Sequence, residues 1–454
     1  MPSQRLKIHF IGIGGIGISA LVRYFLKKGC YVSGSDLKSS EITDQLKKLK
    51  AKIFIGHKSS NLPKDADLVL ITPAIKEENP ELKEARRKGI KIQTWERALG
   101  DITKEYFTIG ISGSHGKSTT TALVSVILKK AGLDPTVIIG TKLKEFNNSN
   151  FRFGKSKYLI IEADEYKNSF LNYWPKIIVL TNLEHEHPDC FKSLKQYLDV
   201  FKKYLSRLDK DGFLIANKDD KNVVNLTRRL KNVKYYSLKQ KEKGRLKKIL
   251  KIPGEHNISN ALAALAVARI LKIPDKVSFK ALSEYRGAWR RFEIHNIKIN
   301  GKKIFLVSDY GHHPTQVKAT IAAAKEKFPR KKIWIIYQAH QFLRTHYFFN
   351  DYVKAFDEAD EIVLPEIYAV VGREKKEILK NLSARNLALA LEKRFKKNRK
   401  NIPVHFFKEY KDIPRFLKSR VKNNDVILLM GAGDIYDLTL HLTNEKKRKR
   451  IYQG

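Results

Sequence analysis

Gly110-Ile-Ser-Gly-Ser-His-Gly-Lys-Ser-Thr-Thr-Thr121 places Gly110, Gly116, Lys117 and Ser118 at the spacing G-x-x-x-x-G-K-[ST]. The apolar run Phe107–Ile111 precedes the last glycines and a helical pattern over Thr119–Lys130 follows them, so the segment reads as strand, phosphate-binding loop and helix. In such a loop each residue type has a task. Backbone N–H groups between Gly113 and Thr119, from Gly113, Ser114, His115, Gly116 and Thr119, wrap the phosphates. Lys117 neutralises the terminal phosphates and the Ser118 hydroxyl holds Mg²⁺. ATP is the expected nucleotide.

Downstream, a strand over Tyr158–Glu162 delivers Glu162-Ala-Asp-Glu165, carboxylates at the C-terminal end of a strand beside the nucleotide, where metal ligands are expected. Thr181-Asn-Leu-Glu-His-Glu-His-Pro-Asp189 adds acids and imidazoles able to hold a second divalent ion; His185, Glu186 and His187 read equally as exposed loop residues. Upstream, Gly12-Ile-Gly-Gly-Ile-Gly17 lies between a strand over Lys7–Ile11 and a helix over Ile18–Lys28. A strand from Tyr31 leads on to Asp36. Gly12, Gly14, Gly15 and Gly17 permit a tight turn and close backbone approach of a phosphate. Asp36 stands where a ribose-binding acid would sit, so in isolation this loop signals a dinucleotide dehydrogenase, or a glycine turn serving only strand–helix packing. The second loop shifts the balance toward ATP.

Around these loops, apolar runs at Leu68–Ile71, Ile177–Leu180, Ile304–Val307, Ile333–Tyr337, Glu361–Leu364 and Val426–Met430 alternate with amphipathic helical patterns. That alternation predicts an α/β protein of parallel sheets covered by helices. One joint is expected near Thr103, before the second strand–loop–helix unit, and another near His295, ahead of a hairpin turning at Asn300-Gly301.

The 454 residues are enough for two to four domains, and 42% hydrophobic content excludes disordered and fibrous classes. No apolar stretch reaches membrane-spanning length. Only Cys30 and Cys190 occur, which suits a reducing cytoplasm rather than a disulfide framework. Against 47 Asp and Glu stand 89 Lys and Arg, a net charge of +42. The densest patch, Leu226–Lys251, carries eleven basic residues and one Glu, followed by Lys393–Lys400 and Lys446–Arg450. No zinc-finger spacing, RNA-binding aromatic motif or repeat accompanies it, so nucleic acid is not an expected partner and the charge reads as solvated surface. A nucleic-acid-binding P-loop ATPase stays open as the alternative of another class, to be recognised by DNA-stimulated ATP hydrolysis.

With these motifs in order the chain resembles the Mur ligases of peptidoglycan synthesis. The resemblance is carried by HFIGIGGIGIS from His9, SGSD at Ser33–Asp36, GSHGKSTTT, EADE, TNLEHEH, GEHNISNALAA at Gly254–Ala264, RRFE at Arg290–Glu293, DYGHHPT at Asp309–Thr315, YQAHQFLRT at Tyr337–Thr345 and GAGDI at Gly431–Ile435. It implies an α/β protein of three domains. These are an N-terminal Rossmann-like UDP-binding domain over 1–104, a central P-loop ATPase-type domain over 105–294, and a C-terminal Rossmann-like α/β domain over 295–454. The first and DYGHHP motifs point to the branch that joins L-alanine to UDP-N-acetylmuramate, or to the recycling branch that joins a tripeptide to the same nucleotide.

By that resemblance Gly12, Gly14, Gly15 and Gly17 hold the UDP diphosphate, with Ser35 and Asp36 near the uridine. Lys117 holds the ATP terminal phosphates, Ser118 the first Mg²⁺, and Glu162 and His187 the second. Asn257 and Asn260 face adenine, Arg291 the terminal phosphate, Asp309 the nucleotide, and His312, His340 and Arg344 the sugar-nucleotide and amino-acid substrates. Without the family, Asn257 or Ser259 reads as the cap of a helix over Asn260–Leu271. His312 and His313 read as turn formers before Pro314, and Arg290 and Arg291 as a surface pair. The implied chemistry makes an acyl phosphate from the lactyl carboxylate and ATP, which the amine then attacks; two approaching anions account for the Mg²⁺ ions, Lys117 and Arg291.

Three residues depart from the family pattern. Glu186 stands for an Asp and Ser308 for the first acid of the DDYGHHP motif. Gln341 stands for an Arg associated with the amino-acid carboxylate, which leaves either Arg344 to hold it alone or a different amino acid as the substrate. None of these motifs sets the oligomeric state.

Overall fold

The computed structural model describes residues 5–370 and 382–443. The basic cluster Lys446–Arg450 lies outside them. The described chain forms two compact units, one of residues 5–184, 195–243 and 260–285, the other of residues 185–194, 244–259 and 286–443.

The first unit holds two sheets. Its N-terminal sheet joins β1 (Lys7–Ile11), β2 (Tyr31–Asp36), β3 (Lys52–Ile55), β4 (Leu68–Ile71) and β5 (Lys91–Thr94) in the order β3-β2-β1-β4-β5, all parallel. The central strand reads Ile-His-Phe-Ile and is buried on both faces, with His9 itself wholly enclosed. The chain leaves β1 for one side of the sheet and returns beside it as β4 for the other, so the loop after β1 opens at the crevice where strand order reverses.

The second sheet comprises β6 (Phe107–Ser112), β7 (Thr136–Leu143), β8 (Ser149–Arg152), β9 (Tyr158–Glu162), β10 (Ile177–Leu180), β11 (Phe213–Asn217) and β12 (Val233–Tyr236). Their order is β12-β11-β10-β6-β9-β7-β8, with β7 and β8 antiparallel. The register sets Ser112 against Leu180 and Ile111 against Glu162. Three loops, those after β6, β9 and β10, therefore emerge side by side. Thr119 to Leu128 in the helix Lys117–Lys130 are all buried, so this helix is the hydrophobic spine of the sheet's covering layer.

The second unit holds β13 (Glu293–Ile299), β14 (Lys302–Asp309), β15 (Ile333–Tyr337), β16 (Glu361–Pro365), β17 (Val404–Phe407) and β18 (Val426–Met430), ordered β13-β14-β18-β15-β16-β17. All neighbours are parallel except the β13–β14 hairpin. Asn300 and Gly301 turn it with φ of 47° and 77°, both left-handed as a two-residue hairpin turn requires. One apolar layer packs Phe356, Leu391 and Tyr352 on one face of this sheet, and another packs Trp334, Leu417 and Leu438 on the other.

The fold class is as expected, and the expected joints differ in detail. Thr103 lies inside the helix Trp95–Glu105, and His295 lies inside β13 opposite Leu306, so neither residue is itself a linker. Of the eleven basic residues in Leu226–Lys251, ten are exposed, consistent with a solvated surface. Both cysteines are half-buried and neither is in a disulfide, and among the described residues no helix is long and apolar enough to cross a membrane.

Candidate active site

In the first unit the phosphate-binding loop is built by its neighbours. Gly113 and Gly116 have φ of 127° and 84°, and a Cβ on Gly113 would strike Thr181 and Asn182 while one on Gly116 would strike Asn260. Glycine is therefore obligatory at both. The segment after β10 clamps the loop: Thr181 Oγ1 donates to the His115 carbonyl at 2.7 Å, and the Asn182 amide both accepts from His115 N at 2.9 Å and donates to its carbonyl at 3.0 Å. Ser114 Oγ donates to the Glu184 carbonyl at 2.9 Å, and His115 Nε2 pairs with the Glu184 carboxylate. Thus part of TNLE braces the loop.

Lys117 opens the helix and points back over the loop, its Nζ donating to the Gly113 carbonyl at 2.7 Å and to Glu165 Oε2 at 2.8 Å. Burial alone would lower its pKa, but Glu165, Asp164 and Glu162 outweigh burial and hold it above the ordinary lysine value. The lysine is a fixed cation. Glu165 is fully buried and also accepts from Tyr197 OH at 2.9 Å, which lies 2.9 Å from Ser114 Oγ. Ser118 and Thr119 are nearly enclosed at the start of the helix, and Glu162 accepts from Gly140 N at 2.7 Å. Glu162 ends β9, next to β6 in the sheet, with Asp164 and Glu165 just beyond it, and Ser118 opens the helix after β6; oxygen donors of this kind have the chemistry that suits Mg²⁺.

The N-terminal loop is equally supported. Gly12 N and Ile13 N donate to the Ser35 carbonyl at 2.8 and 3.0 Å, and Gly14 N donates to Asp36 Oδ2 at 2.8 Å. Asp36 thus props the loop. The Ser35 side chain is fully buried and bonded to Glu81, so it is the Ser35 backbone that faces the glycine loop. Gly15 caps the helix Ile16–Lys27, which begins two residues before the expected Ile18 and places Gly17 in its first turn, against Trp95.

In the second unit the loops after β14, β15 and β18 meet. Gly431 N donates to the Asp309 carbonyl at 3.2 Å and Gln338 N to the Met430 carbonyl at 2.9 Å. The Asp309 carboxylate accepts from Gly311 N at 2.7 Å and Phe292 N at 2.8 Å, which fixes the DYGHHP turn. His313 is the N-cap of the helix Pro314–Lys327, so the expected turn-forming role holds for it. His312 is half-buried, and desolvation first, then the Arg344 and His340 charges, hold its pKa well below the ordinary value. It is neutral. Arg344 is 3% exposed and its Nε donates to Glu186 Oε1 at 3.1 Å, while an Nη lies 3.1 Å from His340 Nδ1. His340 stacks on Tyr368 with ring centroids 5.5 Å apart. Arg344 is therefore already paired with a carboxylate. Gln341 is 3% exposed with φ of 72° at the start of the helix Phe342–Tyr347.

Other expectations also change. The helix carrying the asparagines is Glu255–Ile270, so Asn257 and Asn260 lie inside it and neither caps a helix starting at 260; Asn257 Nδ2 donates to the Pro253 carbonyl at 2.6 Å. Of the arginine pair, Arg290 is the buried one, over the rings of Tyr310 and Tyr436 and bonded to the Gly431 carbonyl, while Arg291 is half-buried over Tyr310. His187 adopts φ of 53° and its carbonyl accepts from Cys190 N and Phe191 N at 2.8 and 2.9 Å. Sequence reasoning did not single out Asn182 or Tyr197. The first was visible inside TNLE; Tyr197 sits at an apolar position of the helix Leu194–Leu205 and gave no signal.

A parallel sheet with a P-loop at its switch point, a second glycine loop on its own sheet and a carboxylate set beside a fixed lysine define a nucleotide-dependent transferase or ligase. Three consecutive family domains match: "Mur ligase family, catalytic domain" over residues 7–107, "Mur ligase middle domain" over 111–268 and "Mur ligase, glutamate ligase domain" over 290–433. The chain belongs to the Mur ligase family. It is 38% identical over 453 residues to the UDP-N-acetylmuramate–L-alanine ligase of Clostridium botulinum (strain Loch Maree / Type A3), covering 94% of this chain and 95% of that one. The ligase of the same name from Alkaliphilus metalliredigens is 37% identical over 98% of this chain and 99% of its own. Among solved structures, the UDP-N-acetylmuramate–alanine ligase of Thermotoga maritima superposes with a TM-score of 0.79 at 27% identity, covering 96% of this chain and 98% of that one. A murein peptide ligase from Psychrobacter arcticus shares the fold, with a TM-score of 0.68 at 20% identity over 96% of this chain and 98% of its own.

Proposed function

We propose that the protein is an ATP-dependent ligase that joins L-alanine to the lactyl carboxylate of UDP-N-acetylmuramate, in the cytoplasmic synthesis of peptidoglycan precursors. The observation that carries this reading is the fixed, buried Lys117 among oxygen donors on a P-loop, in a chain similar along its length to ligases of that name. A carboxylate is a poor acyl donor, and ATP activates it as an acyl phosphate that the amine of alanine then attacks. The charge problem comes first, because the carboxylate and the terminal phosphate are both anions. Lys117 supplies one permanent positive charge at the phosphate, held in place by Gly113 and Glu165. Ser118 and Glu162 would hold Mg²⁺, which when bound neutralises further phosphate charge. Loop N–H groups of Gly113–Thr119 orient ATP, and Gly12–Gly17 receive the UDP diphosphate. His340, with Arg344 behind it, serves the amino acid.

The test is phosphate release with UDP-N-acetylmuramate and ATP, offered L-alanine, other amino acids and the tripeptide in parallel. Release driven by L-alanine supports the reading. Release driven only by the tripeptide replaces it with the recycling activity, and ATP hydrolysis indifferent to the UDP-sugar and stimulated by DNA overturns it.

A further inference from the structure

Glu81 belongs to none of the motifs, yet it is the most heavily bonded carboxylate of the N-terminal sheet's surroundings. It lies in the first turn of the helix Pro80–Arg87, capped by Asn79, whose side chain accepts from Glu81 N and Leu82 N at 2.9 and 3.1 Å. The helix N-terminus favours a negative charge there. Its side chain is fully buried. Oε2 accepts from Ser35 Oγ at 2.7 Å and lies 2.8 Å from His9 Nε2; Oε1 accepts from Asn61 Nδ2 at 2.8 Å and Lys58 N at 3.1 Å. Burial alone would raise its pKa, but His9, Ser35 and Asn61 outweigh burial and keep it below the ordinary carboxylate value.

What distinguishes this cluster from a helix anchor is where it leads. Ser35, whose hydroxyl Glu81 holds, is the residue whose carbonyl receives the Gly12 and Ile13 N–H groups. The same Ser35 hydroxyl lies 2.9 Å from Nδ1 of His57, an imidazole that retains some exposure. We propose that Glu81 is a positioning residue for sugar-nucleotide binding: through Ser35 it fixes the peptide on which the Gly12–Gly17 loop is hung, so that the loop meets the diphosphate already in shape. A loop fixed in advance loses less conformational freedom on binding, and that saving appears as affinity for the UDP-sugar and for no other substrate. The proposal rests on the reading of this loop as the UDP-sugar site.

Calorimetry of the full-length protein with UDP-N-acetylmuramate, and separately with ADP, tests both. Ser35→Ala cuts the link to the loop and leaves Glu81 its other donors; Glu81→Gln weakens the whole cluster. Each is expected to weaken UDP-N-acetylmuramate binding roughly three- to tenfold, to leave ADP binding unchanged, and to leave kcat unchanged at saturating UDP-sugar. Asn61→Ala removes a Glu81 donor that is not bonded to Ser35, and is expected to lower the melting temperature without changing the UDP-sugar Kd. A folded Ser35→Ala protein that binds the UDP-sugar like wild type, while Gly14→Val weakens it, overturns the positioning role and leaves the loop reading standing. Equal losses in Asn61→Ala and Ser35→Ala overturn it too, since the effect is then general loosening. If Gly14→Val also binds normally, the loop reading itself is overturned.

Discussion

Replacing Lys117 by Met removes the charge and keeps most of the apolar stem, and two separate losses follow. The first is stability. Glu165 is fully enclosed and Lys117 is 14% exposed, with 2.8 Å between Nζ and Oε2, so the variant takes the ammonium away from a buried carboxylate that still accepts from Tyr197 OH. Removing one partner of a buried pair costs about 3–5 kcal/mol, and the partial exposure of the lysine argues for the lower end. For a unit of this size that is a fall in melting temperature of roughly 6–12 °C. The second loss is catalytic, about 10²–10³ in kcat for a fixed charge at a developing anion. The double variant Lys117→Met/Glu165→Gln separates them, because neutralising both partners leaves no charge on either side of the pair. Its melting temperature should return most of the way to wild type while phosphate release stays at the single variant's level. Scanning calorimetry and a phosphate-release assay read the two quantities. A Lys117→Met protein that melts like wild type would refute the pairing argument, and one that turns over near the wild-type rate would refute the assignment of the ATP site.

Gly14→Val should raise the UDP-N-acetylmuramate KM at least tenfold and spare ADP binding: a Cβ there already stands 3.0 Å from Asp36 Oδ2 and 3.1 Å from Thr43 Cγ2, so the branched side chain displaces the bond that props the loop. Acid should destabilise the protein in two stages, followed by thermal melts against pH. The folded pKa of His312 lies below its ordinary 6.5, so the unfolded chain takes up that proton first and stability falls as pH drops below about 6.5; His312→Gln should flatten this limb. The folded pKa of Glu81 lies below 4.5, so its contribution is complete above that pH and is lost below it, a limb that Glu81→Gln should remove. Gln341→Arg should lower the melting temperature and fail to improve the L-alanine KM, because the position is 3% exposed beside a cation that already has its carboxylate; a lower alanine KM with unchanged stability would contradict this.

The central strands were legible to the residue. β1, β4, β9, β10, β15 and β18 have the bounds that the apolar runs predict, since strands buried on both faces carry unbroken Val, Ile and Leu. Edge strands left a weaker mark: β3, β5 and β17 are 4 residues each and contain no fully buried residue, so no long apolar run sets them apart. Helix starts slipped where backbone geometry overrode side-chain capping. Gly254, with φ of 96°, turns the chain so that the helix begins at Glu255, five residues before the expected Asn260. The phosphate loop was readable because its chemistry is local, a lysine and glycines within eight residues. Glu81, Tyr197 and the Thr181–Asn182 clamp act across 46, 83 and 66–67 residues of chain, and nothing in their own neighbourhoods marks those partnerships.

Two departures that look independent along the chain bear on one short helix, which Gln341 opens and whose Arg344 pairs with Glu186. Glu186 is one methylene longer than the Asp of the family pattern, and its carboxylate reaches Arg344 at 3.1 Å in a setting where both side chains are 3% exposed. Burial alone would raise the Glu186 pKa, but Arg344 first, then His187, His313 and His312, hold it well below the ordinary value, so the pair is ionised. One enclosed carboxylate balances one guanidinium. A second arginine at position 341, opening the same helix three residues earlier, would leave a buried cation without its own counter-ion, and the neutral amide of Gln341 avoids that. On this argument the loss of the arginine is the counterpart of Arg344 being committed to Glu186. The amino acid would then be recognised by a guanidinium already oriented by Glu186 and His340, which offers direction more than free charge.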